Sequence, residues 1–408
     1  MKLKLLNIFL IIFSGLLSNA CRKQILQEEV PPIKIYKIED FRQAGMTDQE
    51  TIQLACDSVP ENSILVFDNK TYNIDHTTFV YKSLKFRGPA TLRRADQVAY
   101  TLTSPAAPSS RQLVLNTTKG LKVRDYFLLT NGKKDYSGTT SMNMITAING
   151  NTITTYYPIG NFIDGTSDFK SGTLLFKDVK FFWITDKNPG IFPTQSCSFS
   201  DLTFDGNRYF NQGTYSWLLH NGIMASSKGK TIIDSCSFMN NPAENIMGHN
   251  LYISNSTFKN LNGSAIHTSI DRLHVTEDEI HSEFVNNYFE NTNQIPTKIG
   301  GHSEGCITHS NSGGYYTAEN NIFINVGEAV VGLLYPSVSV NDWGTSDIQF
   351  TRNIISTPGR MVYSFGLLPG KLDDVNIIDN DIYELNPWDW TTALNYYPGV
   401  KLENTVNK

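Results

Sequence analysis

Between Thr231 and Tyr383 one short pattern returns six times, and it restricts the fold more than any other feature of the chain. A small polar residue is followed two places later by a large apolar one. The returns are Cys236-Ser237-Phe238, Ser256-Thr257-Phe258, Asn287-Tyr288-Phe289, Asn321-Ile322-Phe323, Asn353-Ile354-Ile355 and Asn380-Asp381-Ile382. After most of them comes a turn and a second strand centred on Ile246, Ile266, Ile307, Val330 or Val362. Repetition every ~20–35 residues marks a solenoid. Strand-forming segments with Gly and Asn at their corners point to stacked β-coils rather than paired helices.

Stacking coils on one another puts equivalent residues in columns, because no coil buries its apolar face alone. Phe238, Phe258, Phe289 and Phe323 are expected to form an internal aromatic ladder, and Asn287, Asn321, Asn353 and Asn380 an amide ladder at one corner. Cys236 and Ser256 occupy the same corner with smaller groups.

The 408 residues are 40% hydrophobic and only 18% charged, with a net charge of -5. No basic surplus offers itself to nucleic acid. The first residues read as a targeting segment: Lys2 and Lys4, an apolar run from Leu5 to Leu17, then Leu17-Ser18-Asn19-Ala20-Cys21. Cys21 directly after Ala20 resembles the bacterial lipoprotein box. That resemblance implies a signal peptide over 1–20, lipidation of Cys21, a tether over 21–34, and a membrane-anchored protein at the outer membrane or cell surface. Cys56, Cys197, Cys236 and Cys306 form no close pair, so they read as buried small residues rather than thiolate metal ligands.

Residues 35–112 read as an N-terminal cap and first coils. Thr47 and Glu50 form a capping box, with Ile52, Ala55 and Val59 on the apolar face of the helix that follows. Asp40-Phe41, the capped helix, Ser63–Phe67 as a buried strand, Asp68-Asn69-Lys70 as a turn and Thr71-Tyr72-Asn73-Ile74 then follow in order. This order resembles the N-terminal cap of the pectate-lyase-like right-handed β-helix superfamily. The resemblance spans residues 35 to about 385 and implies an all-β fold: a right-handed parallel β-helix whose open end is plugged by a helix. Residues 113–173 are expected as a small β insertion with a hairpin at Asn149-Gly150-Asn151. The main coils are expected over 174–385 and a tail over 386–408. Asp205, in the corner of "DLTFDGN", reads as a turn residue bonding its own backbone.

In catalytic members of that superfamily the strand after the corner carries the groove. Here those strands are "NGIMAS", "NIMGHN", "AIHTSI", "CITHSN", "AVVGLL" and "MVYSFG". With the aliphatic residues inward, alternation predicts one outward column of Met224, Met247, His267, Thr308, Val331 and Tyr363, and a second of Ser226, His249, Ser269, Ser310, Leu333 and Phe365. His267 and His249 then lie within reach of one ligand, whereas His309 falls inward unless the register slips by one residue. Two long charged or aromatic loops, 271–283 and 335–347, leave beside these strands.

The expected partner is a polysaccharide. β-Elimination needs a base, an acid and a cation at the carboxylate. His267 or His249 suits the base, Tyr363 the acid, and Arg272 or Arg360 the cation. Asn245, Glu244 and His309 are further candidates for contact with the polymer, and Trp343 and Tyr335 offer faces for sugar rings. Hydrolysis would need paired carboxylates; Glu244, Glu304 and Glu328 are the candidates. No cofactor is predicted: the clustered groove carboxylates of calcium-dependent lyases are missing from "AIHTSI" and "CITHSN", and the Asp271, Glu277, Asp278 and Glu279 group, which could bind calcium, reads first as a solvated charged loop. A non-catalytic glycan-binding or display protein is the competing class.

Overall fold

In the coils between Asp201 and Asn325 the chain bends twice at residues held in the left-handed backbone region. A computed structural model describes residues 33–130, 140–160, 169–187, 194–208, 220–242, 244–269, 281–294, 305–310, 314–327, 329–334, 346–356, 362–365, 374–383 and 400–407. It is a right-handed parallel β-helix. In one coil Leu251–Ser254 leads through Asn255 (φ 50°) and Ser256 into Thr257–Lys259. Asn260 (φ 57°) then turns the chain towards Ile266–Ser269. Asn is the residue that tolerates this conformation best after Gly, which explains its abundance at both corners.

The Phe column forms as the repeat predicts. Phe238, Phe258, Phe289 and Phe323 are fully buried and stack with ring centroids 4.6–5.0 Å apart and planes within 9° of parallel. Phe204 extends the column by one ring at 4.7 Å. The spacing matches the rise between hydrogen-bonded strands, so the ladder is a direct consequence of parallel register. In the amide ladder each Nδ2 donates to the next Oδ1: Asn287 to Asn321, Asn321 to Asn353 and Asn353 to Asn380, all at 3.0 Å. Ser256 Oγ and Asn287 Oδ1 accept the amides of Cys236 and Ser256, so the smaller residues continue the column. A second, more exposed ladder of Asn240, Asn260, Asn291 and Asn325 runs along the other corner.

The helix Asp48–Ser58 starts at the Thr47–Glu50 capping box and buries Ile52, Ala55 and Cys56 in the main core. The side chain of Gln53 pairs with both the N–H and the C=O of Phe79. It thereby satisfies the first strand of the groove sheet, an edge that would otherwise stand open.

Between the first coil and the next lies a six-stranded antiparallel sheet, with strands from Ala99–Thr101 to Leu174–Lys177 and its own core around Phe127, Leu129 and Leu175. Thr140–Asn149 and Thr152–Thr155 pair across the turn at Gly150-Asn151. At the far end, Val400–Glu403 and Val406–Asn407 pair in parallel with the preceding coil and add one more turn to the solenoid beyond residue 385.

The groove sheet has eight parallel strands, running from Phe79–Val80 through Phe182–Ile184, His220–Ala225, Glu244–Gly248, Ile266–Ser269, Gly305–Ser310 and Ala329–Leu334 to Val362–Phe365. Its register corrects one sequence expectation. Ile307 pairs with Val331 and Thr308 with Gly332, so Gly332, not Val331, continues the outward column, and Leu334, not Leu333, follows Ser310. Ala329, Val330 and Val331 are all buried, and such an apolar run carries no alternation to fix its face.

Candidate active site on the groove sheet

Register aligns Phe79, Trp183, Met224, Met247, His267, Thr308, Gly332 and Tyr363 in one column. Met224, Met247 and Trp183 are half-buried. His267 is 7% exposed, and its Nδ1 lies 2.9 Å from Oε1 of Glu244, which is 1% exposed. Glu244 opens its strand one coil earlier, three residues before Met247, the register partner of His267. A carboxylate at Nδ1 holds the ring proton there in the neutral tautomer, fixes the ring plane and leaves Nε2 as the basic nitrogen.

Hydroxyls adjoin the pair. Ser264 Oγ lies 2.8 Å from Thr308 Oγ1, which also donates to the carbonyl and accepts from the N–H of Gly305. A side chain on Gly305 would bring its Cβ 2.0 Å from Gly332 N, so glycine is what lets these two coils approach.

Several candidates take other positions. Asn245 is buried in the corner: its Oδ1 accepts from Asn241, and its Nδ2 donates to the carbonyl of Ser264. It therefore joins coils rather than facing a ligand. His309 points inward, as the unslipped register requires; its Nδ1 is 2.6 Å from Thr268 Oγ1 and its ring packs on Tyr316. The contact with a polymer expected of it is thereby replaced by a core role. His249 is 6% exposed and follows the Glu244 strand, beside the turn at Asn250. Tyr363 holds a register position in the same column as His267. Arg272, Arg360, Trp343, Tyr335, Glu304, Glu328, the 271–279 acidic loop and Cys21 lie outside the described residues. Among the described residues no group of three His, Cys, Asp or Glu side chains is placed to hold a metal ion. Asp205 accepts from the N–H of Asn207, the turn bond expected of it.

Sequence reasoning missed an aromatic cluster at the start of the groove. Trp183 and Tyr126 meet edge to face at 4.6 Å, and Phe79 lies 5.7 Å from Trp183. Tyr126 belongs to the inserted sheet, expected only as a small β insertion, so no local signal joined it to the groove.

No protein-family model matches the sequence, and no curated protein matches it. Among solved structures the chain is similar to the tailspike gp61 of Pseudomonas phage phi297, at 10% identity over 91% of this chain and 80% of that one, with a TM-score of 0.22. It is also similar to the Gp54 tailspike of Acinetobacter baumannii bacteriophage AP22, solved in complex with A. baumannii capsular saccharide, at 10% identity over 90% and 79% and a TM-score of 0.24. A glycoside hydrolase matches at 8% identity over 84% and 89%, with a TM-score of 0.29. Likenesses this distant carry nothing about what this chain binds or cleaves.

Proposed function

We propose that this protein acts on a polysaccharide laid along the groove sheet, cleaving it by β-elimination with His267 as the base. The observation that carries the reading is the hydrogen bond from His267 Nδ1 to the buried Glu244 carboxylate on the face of that sheet. Nε2 takes the proton beside the sugar carboxylate, a carbon–carbon double bond forms, and the glycosidic oxygen leaves with the electron pair and a proton from an acid. Tyr363 is the proposed acid, and Arg272 or Arg360 the partner of the sugar carboxylate. Hydrolysis by two carboxylates fits less well: from Phe182–Ile184 to Gly305–Ser310, Glu244 is the one carboxylate on the groove strands, and it is engaged with the histidine. In this proposal Cys21 carries a lipid and holds the protein at the outer membrane or cell surface.

Met224 and Met247, half-buried beside His267, favour a second reading, a non-catalytic glycan binder. One experiment separates the two. The chain lacking its first 21 residues is incubated with uronic-acid and neutral polysaccharides. New ultraviolet absorbance from an unsaturated uronate supports elimination. Reducing ends without that absorbance mean hydrolysis, and binding with neither product supports the binder and sinks the enzyme.

A further inference from the structure

Where the inserted sheet meets the first strands of the groove, the two bound an open cavity of about 430 Å3. That volume lies in the range of small-ligand sites, about 300–1,000 Å3. Its walls are aromatic and come from separate parts of the chain: Phe79 and Trp183 from the groove sheet, Tyr126, Tyr156 and Tyr157 from the insertion. The indole N–H of Trp183 donates to Ser226 Oγ at 3.1 Å, which fixes the ring. The Lys180 ammonium, paired at 2.6 Å with the buried Asp178, lies 5.3 Å from the Trp183 ring and 5.5 Å from Tyr126. Tyr157 is 62% exposed, yet Asn143 holds its backbone at both the N–H and the C=O. A ring so exposed adds little to holding the insertion in place; pinned at the rim, it presents a face.

Two cations, Arg124 and Lys187, line the cavity with one carboxylate, Asp186. Arg124 lies with its guanidinium 4.7 Å over Phe79 and 5.3 Å over Tyr81, and Lys187 lies 5.5 Å over Tyr81. Among the described residues no carboxylate pairs with either. Arg124 is held at φ 76°, a left-handed conformation that a long side chain adopts only under constraint. Its amide bonds to the Ile145 carbonyl, and the turn directs the side chain to the cavity.

We propose that this cavity is a saccharide subsite for a carboxylate-bearing pyranose, with the sugar ring on Trp183 and Tyr157 and its carboxylate on Arg124. Aromatic faces match the C–H face of a pyranose, and a guanidinium matches a carboxylate in fork geometry. Trp183 stands three strands before His267 in the same column, about 14 Å at the spacing of paired strands. A chain of a few sugar rings therefore reaches from one to the other. The subsite deepens the proposed function by naming the polymer as acidic, but its binding chemistry does not need the Glu244–His267 pair.

The test is calorimetric titration of the chain lacking its first 21 residues with methyl glucuronide and methyl glucoside, with Trp fluorescence as a second signal. Wild type is expected to bind the glucuronide more tightly than the glucoside. Arg124→Asn, which tolerates the left-handed backbone, is expected to weaken the glucuronide at least tenfold while leaving the glucoside unchanged. Tyr157→Ala is expected to weaken both, with an unchanged melting temperature showing that the fold is intact. Failure of wild type to bind the glucuronide, or equal binding by wild type and both cavity variants, overturns the subsite. Glucuronide binding that needs Arg124, in a protein that cleaves no polysaccharide, would keep the subsite and remove the lyase.

Discussion

Glu244 reaches His267 from one coil below and from three residues before the register partner of that histidine, with Oε1 2.9 Å from Nδ1. The carboxylate is therefore delivered along the groove face rather than straight up a column. The pair fixes the orientation of the imidazole ring, and in the proposed reaction Nε2 is the base. Glu244→Gln keeps the shape, but its amide nitrogen cannot accept the Nδ1 proton and its oxygen is a weaker acceptor. A positioned general base contributes about 10²–10⁴-fold, so cleavage of the best polysaccharide is expected to fall by up to about that much, with little change in KM. His267→Ala is expected to abolish it. Steady-state kinetics check both, and full activity in His267→Ala removes the assignment.

The amide ladder sets how the coils hold together. Asn321 Nδ2 donates to Asn353 Oδ1 and to the Phe284 carbonyl, while its Oδ1 accepts from Asn287. It is fully buried. Asn321→Ala removes these bonds and strands their partners, at about 1–3 kcal/mol for each buried group left unsatisfied. A loss of about 3 kcal/mol or more is expected in urea unfolding. Asn325→Gly on the exposed ladder keeps the left-handed backbone and loses the bond to Asn291. It should cost under about 1 kcal/mol, since water replaces what is lost. Equal losses in the two variants would show that burial does not set the strength of the ladders.

The repeat made the solenoid legible because its columns depend on one residue type recurring at one place in each coil. Phe258 and Asn321 sit where that logic puts them. The second ladder was written just as openly, in the Asn two places after Phe238, Phe258, Phe289 and Phe323, but a surface Asn reads equally well as an ordinary turn residue. Glu244 and His267 were each visible as candidates. Their bond was not, because it depends on the offset between neighbouring coils, a property of two strands together. The Trp183–Tyr126 contact lay further out of reach: it joins segments of the chain whose alternation gives no hint of each other.

The four cysteines of the folded part are expected to be chemically silent. Burial pushes the thiols of Cys197, Cys236 and Cys306 up to about 12, and that of Cys56 higher still. The thiolate is the reactive form, so labelling by a disulfide reagent at neutral pH requires the chain to open. In protein lacking Cys21, labelling should follow the rate of unfolding in urea and vanish in its absence. A thiol that reacts promptly in the native protein would mean that its coil opens locally.

The N-terminal helix should loosen in acid before the coils do. The Arg42 guanidinium, 2.6 Å away, and then Lys70 hold the Glu39 carboxyl well below its usual value of 4.5, at about 2. Arg42 also reaches Asp48 in the first turn of the helix, so Glu39 and the helix share one cation. A carboxylate with a depressed value when folded stabilises the fold above the unfolded value and loses that contribution as pH falls towards the folded one. Stability is therefore expected to decline from about pH 4.5 to pH 2. The pair is partly exposed, so the slope should be shallow and should flatten further in high salt. In Glu39→Gln the decline over that window should shrink, as followed by thermal melts across pH. An unchanged slope would place the acid sensitivity elsewhere in the chain.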